Sequence, residues 1–247
     1  MWLNNEAKDA LGYFWELAGE VETYPRTLER SALLALPVAI VKLPHLGLGN
    51  IEYWLSSRNI DYSFGCQSRP VRGCLLAFQG KGLIFCDGSD NVDEIRFTIA
   101  HETAHFLLDH LMPRKKAIQL FGLSIMEVID GKRNPSITER ISSLLEGVSI
   151  GLVMNLMERE RIEDPSGVWK LEEQADRLAL ELLAPSKDVF ARTDTSARVF
   201  STRLHAITQS LILNFGLPVN VAKSYGESLL RSINKGPSLV EAIRISM

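Results

Sequence analysis

The residues best suited to chemistry lie in one short stretch, HETAH at positions 101–105. Residues four apart on an α-helix share a face about one turn apart, so His101 and His105 can reach a single metal ion. Glu102 lies roughly 100° around the axis, where its carboxylate can hold a water on that ion rather than bind the ion itself. The spacing predicts a zinc hydrolase site with two histidine ligands and Glu102 as general base.

Such a site needs a third protein ligand and leaves the fourth position open. His110 is a poor candidate because it would lie on the opposite side of the helix. Asp109 lies near the correct face, but too far along the axis to complete a site with His101. A metzincin site is excluded, because Leu108 and Leu111 stand where that pattern requires Gly and His.

A better third ligand lies in the helix predicted at 171–183. Glu172 and Asp176 are four residues apart and share a face of that helix. Glu172 can bind zinc while Asp176 accepts a hydrogen bond from the far ring nitrogen of a ligand histidine, which fixes the tautomer and orientation of the ring. Glu173, on the adjacent side of the helix, is the alternative ligand. Without the HExxH motif, this segment would be interpreted as a solvated acidic face.

Apolar periodicity predicts the elements that must position these residues. A hairpin is predicted from strands 71–78 and 82–86, and the residues after it turn into the HExxH helix. Predicted helices cover residues 1–43 with a break before Pro37, then 50–58, 93–111, 137–157, 171–183 and most of 195–247. The helix at 137–157 opens on a capping box, Ser136-x-x-Glu139.

Composition places the chain among globular proteins. Of its 247 residues, 46% are hydrophobic and 23% charged, and the net charge is −3, so nucleic acid is not the default partner. Its three cysteines form no CxxC pair, which indicates reduced thiols rather than a cysteine metal site. The start resembles no secretory signal, and the longest apolar run, 32–41, is too short to span a bilayer. We expect a cytoplasmic protein without a membrane partner.

Two segments resemble the ImmA/IrrE metallopeptidase family. Residues 95–108, IRFTIAHETAHFLL, are similar to its active-site helix, and residues 172–185, EEQADRLALELLAP, to its ligand helix. In that family, a Glu-x-x-Ala-Asn/Asp helix ending in proline follows HExxH and supplies the third ligand. The resemblance implies one zinc ion per chain, bound by His101, His105 and Glu172, with Glu102 catalytic.

The resemblance covers roughly residues 50–225 and includes departures. Ala104 stands where the family usually has glycine, and the stretch between the two metal helices is long. We expect an α+β zincin-like domain at 46–225 with an insertion at about 112–165, preceded by a helical extension at 1–45 and followed by a helical tail at 226–247. A small sheet should pack on the HExxH helix. The insertion would form a packing layer, a partner-binding surface or a lid.

The implied function is a zinc-dependent endopeptidase that cleaves a helix-turn-helix repressor of the Xre type, in stress or mobile-element regulation. An extended substrate would pair with strand 71–78 or 82–86. His205, Tyr225 and Arg203 are candidates for stabilising the oxyanion, although each has a structural alternative.

An alternative function is a module that binds and sequesters a repressor without cleaving it. Direct DNA binding is disfavoured, because the apolar residues of segment 198–221 are typical of a core. The sequence predicts no oligomeric state.

Overall fold

Four strands form a mixed sheet that includes the predicted hairpin. The computed structural model describes residues 3–137, 139–140, 151–159, 168–233 and 236. In these residues the strands are β1 Val38–Leu43, β2 Val71–Phe78, β3 Lys81–Asp87 and β4 Val153–Glu158. Their order across the sheet is β1-β3-β2-β4, with β1 parallel to β3 and the other pairs antiparallel. The α+β class expected from the sequence is confirmed.

The rest of the described chain is mostly helical. Its helices are α1 Asn5–Ala18, α2 Glu29–Ala35, α3 Leu48–Ser56, α4 Val92–His105, α5 Met112–Phe121, α6 Ile125–Ile129, α7 Val168–Leu183, α8 Ser186–Ala191, α9 Phe200–Phe215 and α10 Val219–Ser232. A π-helical segment, Phe106–Leu111, joins α4 to α5. Within the described ranges, no helix combines the length and apolar character needed to cross a membrane.

The prediction of helix throughout residues 1–43 is wrong at its end. The helix α2 does stop before Pro37, but the following residues form β1, which runs parallel to β3 with Ile40 opposite Ile84. The apolar, β-branched segment VAIVKL is short enough for a strand, and its pairing partner lies far along the chain. The proposed domain boundaries stay a prediction, although β1 lies within 1–45 and belongs to the sheet.

The helix predicted at 137–157 is also wrong at its end, because residues from Val153 onward form β4. The capping box at its start is present, with reciprocal hydrogen bonds between Ser136 and Glu139. Residues 141–150 lie outside the described residues. Gly151, at a φ of +93°, interrupts the backbone just before the strand. Leu156, an apolar residue that fits the spacing of the predicted helix, therefore belongs to the strand β4 instead.

The helix α4 carries the HExxH motif and packs against both the sheet and α7. Fully buried alanines line both helices, Ala100 and Ala104 on α4 and Ala175 and Ala179 on α7, in a core shared with Leu75 of β2. Small side chains let helices approach closely, and Ala104 is small enough to allow this. The close approach brings the acidic residues of α7 to the imidazoles of α4.

The hairpin turn is fastened to the π-helical segment by His110. Its Nε2 accepts a hydrogen bond of 3.0 Å from the backbone N–H of Gly80, in the turn between β2 and β3. Burial, with a smaller effect of Arg114, lowers the pKa of His110 to about 4. The imidazole is therefore neutral at pH 7, as an acceptor must be, and it ties the sheet to the end of the HExxH helix.

We expect His110→Gln to flatten the pH dependence of stability. The pKa of His110 falls from an ordinary 6.5 to about 4 on folding, so between these pH values the unfolded chain binds more protons. Its contribution to stability is therefore fully present above pH 6.5 and is lost as the pH falls to 4. Urea denaturation at several pH values, with a chelator present, should give the variant the shallower decline. Parallel curves would contradict this role for His110.

Candidate metal centre

Three side chains that the sequence predicts as metal ligands converge at the interface of α4 and α7. Oε2 of Glu172 lies 3.5 Å from Nε2 of His101, and its Oε1 lies 3.6 Å from Nε2 of His105. One potential ligand atom from each of the three residues lies within 4.8 Å of the others. Both imidazoles are buried and the carboxylate is half-buried. Two nitrogens and one carboxylate oxygen are therefore gathered around one point.

Each imidazole is fixed by a carboxylate on its outer nitrogen. Nδ1 of His101 lies 2.9 Å from Oδ1 of Asp176, as the four-residue spacing on α7 predicted. Nδ1 of His105 lies 2.6 Å from Oδ2 of Asp109, a partner that the sequence reasoning considered only as a ligand. A carboxylate accepts hydrogen bonds, so each Nδ1 carries a proton and each Nε2 presents its lone pair to the cluster.

The distance between the two Nε2 atoms bears on whether a metal ion fits between them. They lie 3.1 Å apart, the distance of a hydrogen bond, yet both bear lone pairs when both Nδ1 atoms are protonated. Two such lone pairs repel unless a proton or a metal ion lies between them. The carboxylate of Glu172 adds negative charge on the same side. The donor set matches the three-ligand catalytic zinc sites that leave a position open.

The pKa shifts express the same preference for positive charge. Burial alone would lower the pKa of His101, but the hydrogen bonds that it donates to the carboxylates of Asp176 and Glu172 raise the pKa to about 10. The pKa of His105 is also raised, because Asp109 and Glu172 outweigh its burial. The pKa of Glu172 is lowered by both histidines despite burial. The cluster therefore stabilises a cation at its centre.

Glu102 lies beside this cluster in a very different environment. Its side chain is fully buried, and neither carboxylate oxygen has a hydrogen-bond partner within the described part of the chain. Burial raises the pKa of Glu102 to about 7, against the opposing effect of His101 and His105. An unpartnered buried carboxylate is costly and calls for a functional explanation. A pKa near neutrality suits a general base.

The sheet reaches Glu102 through Gly73 of β2. A Cβ at this position would lie 2.6 Å from Oε1 of Glu102 and 2.6 Å from Cγ2 of Thr98. Only glycine lets the strand approach α4 this closely. The pairing of β2 with β4 is irregular between Val71 and Gly73, and bulges of this kind are common beside active sites.

The sequence reasoning missed one polar residue at the cluster. Nδ2 of Asn155, on β4, donates a hydrogen bond of 3.2 Å to Oε1 of Glu172. It was missed because its segment was assigned to a helix. The interrupting glycine at position 151 was the available signal that a new element begins there.

Other candidates from the sequence have different surroundings. The exposed Glu173 is paired with Arg177, so the structure brings Glu172 rather than its neighbour to the histidines. The hydroxyl of Tyr225 is buried and donates to the carbonyl of Ala184. Arg203 donates to backbone carbonyls in the loop just before α9, and His205 is exposed. No oxyanion role is assigned to them.

We expect the isolated chain to bind one zinc ion, and His101→Ala and Glu172→Ala to abolish or strongly weaken that binding. Glu173→Ala is the matched control, because it removes an exposed carboxylate from the adjacent position of the same helix. Zinc titration against a competing chelator measures all four proteins. Equal loss in the control, or unchanged binding in Glu172→Ala, would contradict the assignment.

We expect Gly73→Ala to lower the free energy of unfolding by about 1–3 kcal/mol, because the new methyl group would force Glu102 and Thr98 apart from β2. Gly12→Ala is the control. No atom lies within 4 Å of a Cβ at that helical position, so stability should be unchanged or rise by up to about 1 kcal/mol. Urea denaturation compares them. A Gly73→Ala protein as stable as wild type would show that the close approach is not required.

Comparison with known proteins adds no relative: no family model, no curated protein and no solved structure matches the chain. The resemblance to ImmA/IrrE metallopeptidases, which covers roughly residues 50–225, therefore stays a prediction. A functional assignment depends on the chemistry of the site itself.

Proposed function

We propose that the chain is a zinc-dependent endopeptidase with a zincin-like fold. The observation that carries this proposal is the fully buried, unpartnered carboxylate of Glu102 beside the donor cluster of His101, His105 and Glu172. A site that only stored or sensed a metal ion would have no use for such a carboxylate. The order HExxH followed by a glutamate helix, and the α+β arrangement around it, support the same proposal.

The residues of the site divide the reaction between them. His101, His105 and Glu172 would hold the ion, and Asp176 and Asp109 would keep the two imidazoles oriented. Bound zinc supplies a water of lowered pKa and polarises the substrate carbonyl. Glu102 removes a proton as the water oxygen bonds to the carbonyl carbon. It then delivers that proton to the amide nitrogen as the C–N bond breaks.

The topology changes the expected place of the substrate. The strands 71–78 and 82–86 cannot add a substrate strand, because β2 and β3 are each paired on both edges. Of the described strands, β1 and β4 end the sheet, and only β4 carries a contact to the cluster, through Asn155. We therefore place an extended peptide substrate along the outer edge of β4, where backbone hydrogen bonds would fix its register.

The proposed substrate is a helix-turn-helix repressor of the Xre type, as the family resemblance implies. A repressor substrate would place the reaction in the cytoplasm and make the chain a regulator in stress or mobile-element responses. The alternative, sequestration of a repressor without cleavage, needs a binding surface but no general base. The burial of Glu102 favours cleavage.

We expect Glu102→Gln to retain zinc and to lose peptidase activity by about 10²–10⁴-fold, because glutamine cannot accept the proton. Activity is measured by mass spectrometry on a library of peptides of defined sequence, each incubated with the zinc-loaded chain. Chelator-treated protein is a second control. Cleavage that persists undiminished in Glu102→Gln would assign the activity to a contaminant or another site.

A repressor assay separates the two functions. Xre-type repressors whose genes lie close to the gene of this protein are bound to their DNA. Release of the repressor from the DNA is then measured with and without the chain. Cleavage requires that Glu102→Gln abolish release, with intact repressor recovered. Full release by Glu102→Gln would favour sequestration instead.

A further inference from the structure

Each candidate ligand has a polar partner outside the cluster, and the three partners differ in origin. Asp176 lies on α7 and Asp109 in the π-helical segment, and both are carboxylates that accept from an imidazole. The partner of Glu172 is Asn155, an amide that donates, and it comes from the sheet. Each imidazole N–H therefore faces an acceptor, and the carboxylate of Glu172 faces a donor.

The local hydrogen bonds determine which way the amide of Asn155 faces. Its Nδ2 lies 3.2 Å from Oε1 of Glu172 and 3.3 Å from Nδ1 of His105. The proton on Nδ1 of His105 is directed to Asp109 at 2.6 Å, so Nδ2 has only the carboxylate to donate to. The reversed amide would put its oxygen against that carboxylate. Oδ1 of Asn155 is buried and has no partner within the described residues.

Asn155 therefore distinguishes the two oxygens of Glu172. Both face the cluster, Oε2 at 3.5 Å from Nε2 of His101 and Oε1 at 3.6 Å from Nε2 of His105, but Oε1 is the one that accepts from Asn155. The glutamate side chain is 32% exposed, so burial alone does not hold its rotamer. A carboxylate with a hydrogen bond on one oxygen is disposed to bind a metal through the other.

We propose that Asn155 is a positioning residue that holds Glu172 for metal binding through a single oxygen and so keeps a coordination position open. This inference deepens the proposed function and rests on its metal site. Since β4 is also the strand assigned to the substrate, one element would orient the third ligand and present the peptide.

The test compares Asn155→Leu, which keeps the approximate volume and removes the donor, with Met154→Ala as a matched control. Met154 is the neighbouring β4 residue and is 44% exposed. We expect Asn155→Leu to weaken zinc binding by about 10–100-fold, the usual effect of losing a partner of a metal ligand. The control should bind zinc as wild type does.

Cobalt substitution separates positioning from a merely structural role. We expect the Co²⁺ absorption bands of Asn155→Leu to weaken and shift, as one carboxylate oxygen changes to two and the coordination number rises. The Met154→Ala spectrum should match wild type. Asn155→Ala provides a second variant in case the leucine does not fit.

The outcomes distinguish this inference from the proposed function. Wild-type zinc affinity and an unchanged Co²⁺ spectrum in both Asn155 variants would overturn the inference and leave the proposed function standing. Equal losses in Met154→Ala would also overturn it, because they would show a general effect on β4. A wild-type chain that binds neither Zn²⁺ nor Co²⁺ would overturn both.

Discussion

The candidate metal site depends on two imidazole nitrogens that face each other at short distance. Nε2 of His101 and Nε2 of His105 lie 3.1 Å apart, and a carboxylate on each outer nitrogen directs both lone pairs inward. The two nitrogens need a proton or a metal ion between them, and the carboxylates around them raise the pKa of His101 to about 10. The rings hold this arrangement because α4 packs between the sheet and α7. The candidate metal site is therefore a rigid site that favours positive charge.

The sheet contributes at two points with different effects. At Gly73, the absence of a side chain lets β2 approach the HExxH helix and enclose Glu102. At Asn155, a side chain of β4 donates to Glu172, the candidate third ligand. Burial raises the pKa of Glu102, and hydrogen bonding orients Glu172. The proposed base and the candidate ligand are both carboxylates, and the sheet gives each its separate environment.

Sequence patterns within short segments predicted those elements of the fold that interactions within the same segments determine. The helices α4 and α7, the hairpin and the shared face of His101 and His105 follow from helical spacing and turn residues within short segments. Glu172 joins that pair from far along the chain, and spacing alone left Glu173 as an alternative, so the choice of Glu172 came from the family resemblance. The strands β1 and β4 were mistaken for helix, because their pairing partners lie far along the chain and their apolar residues also fit a helical period. The role of Asn155 could not be predicted once its strand was missed.

The most direct test is a crystal structure of the zinc-loaded protein with anomalous data collected on both sides of the zinc absorption edge. We expect one strong peak between α4 and α7, about 2.0–2.2 Å from both histidine Nε2 atoms and from one oxygen of Glu172. No peak at this position, or a zinc ion held by other residues, would contradict it.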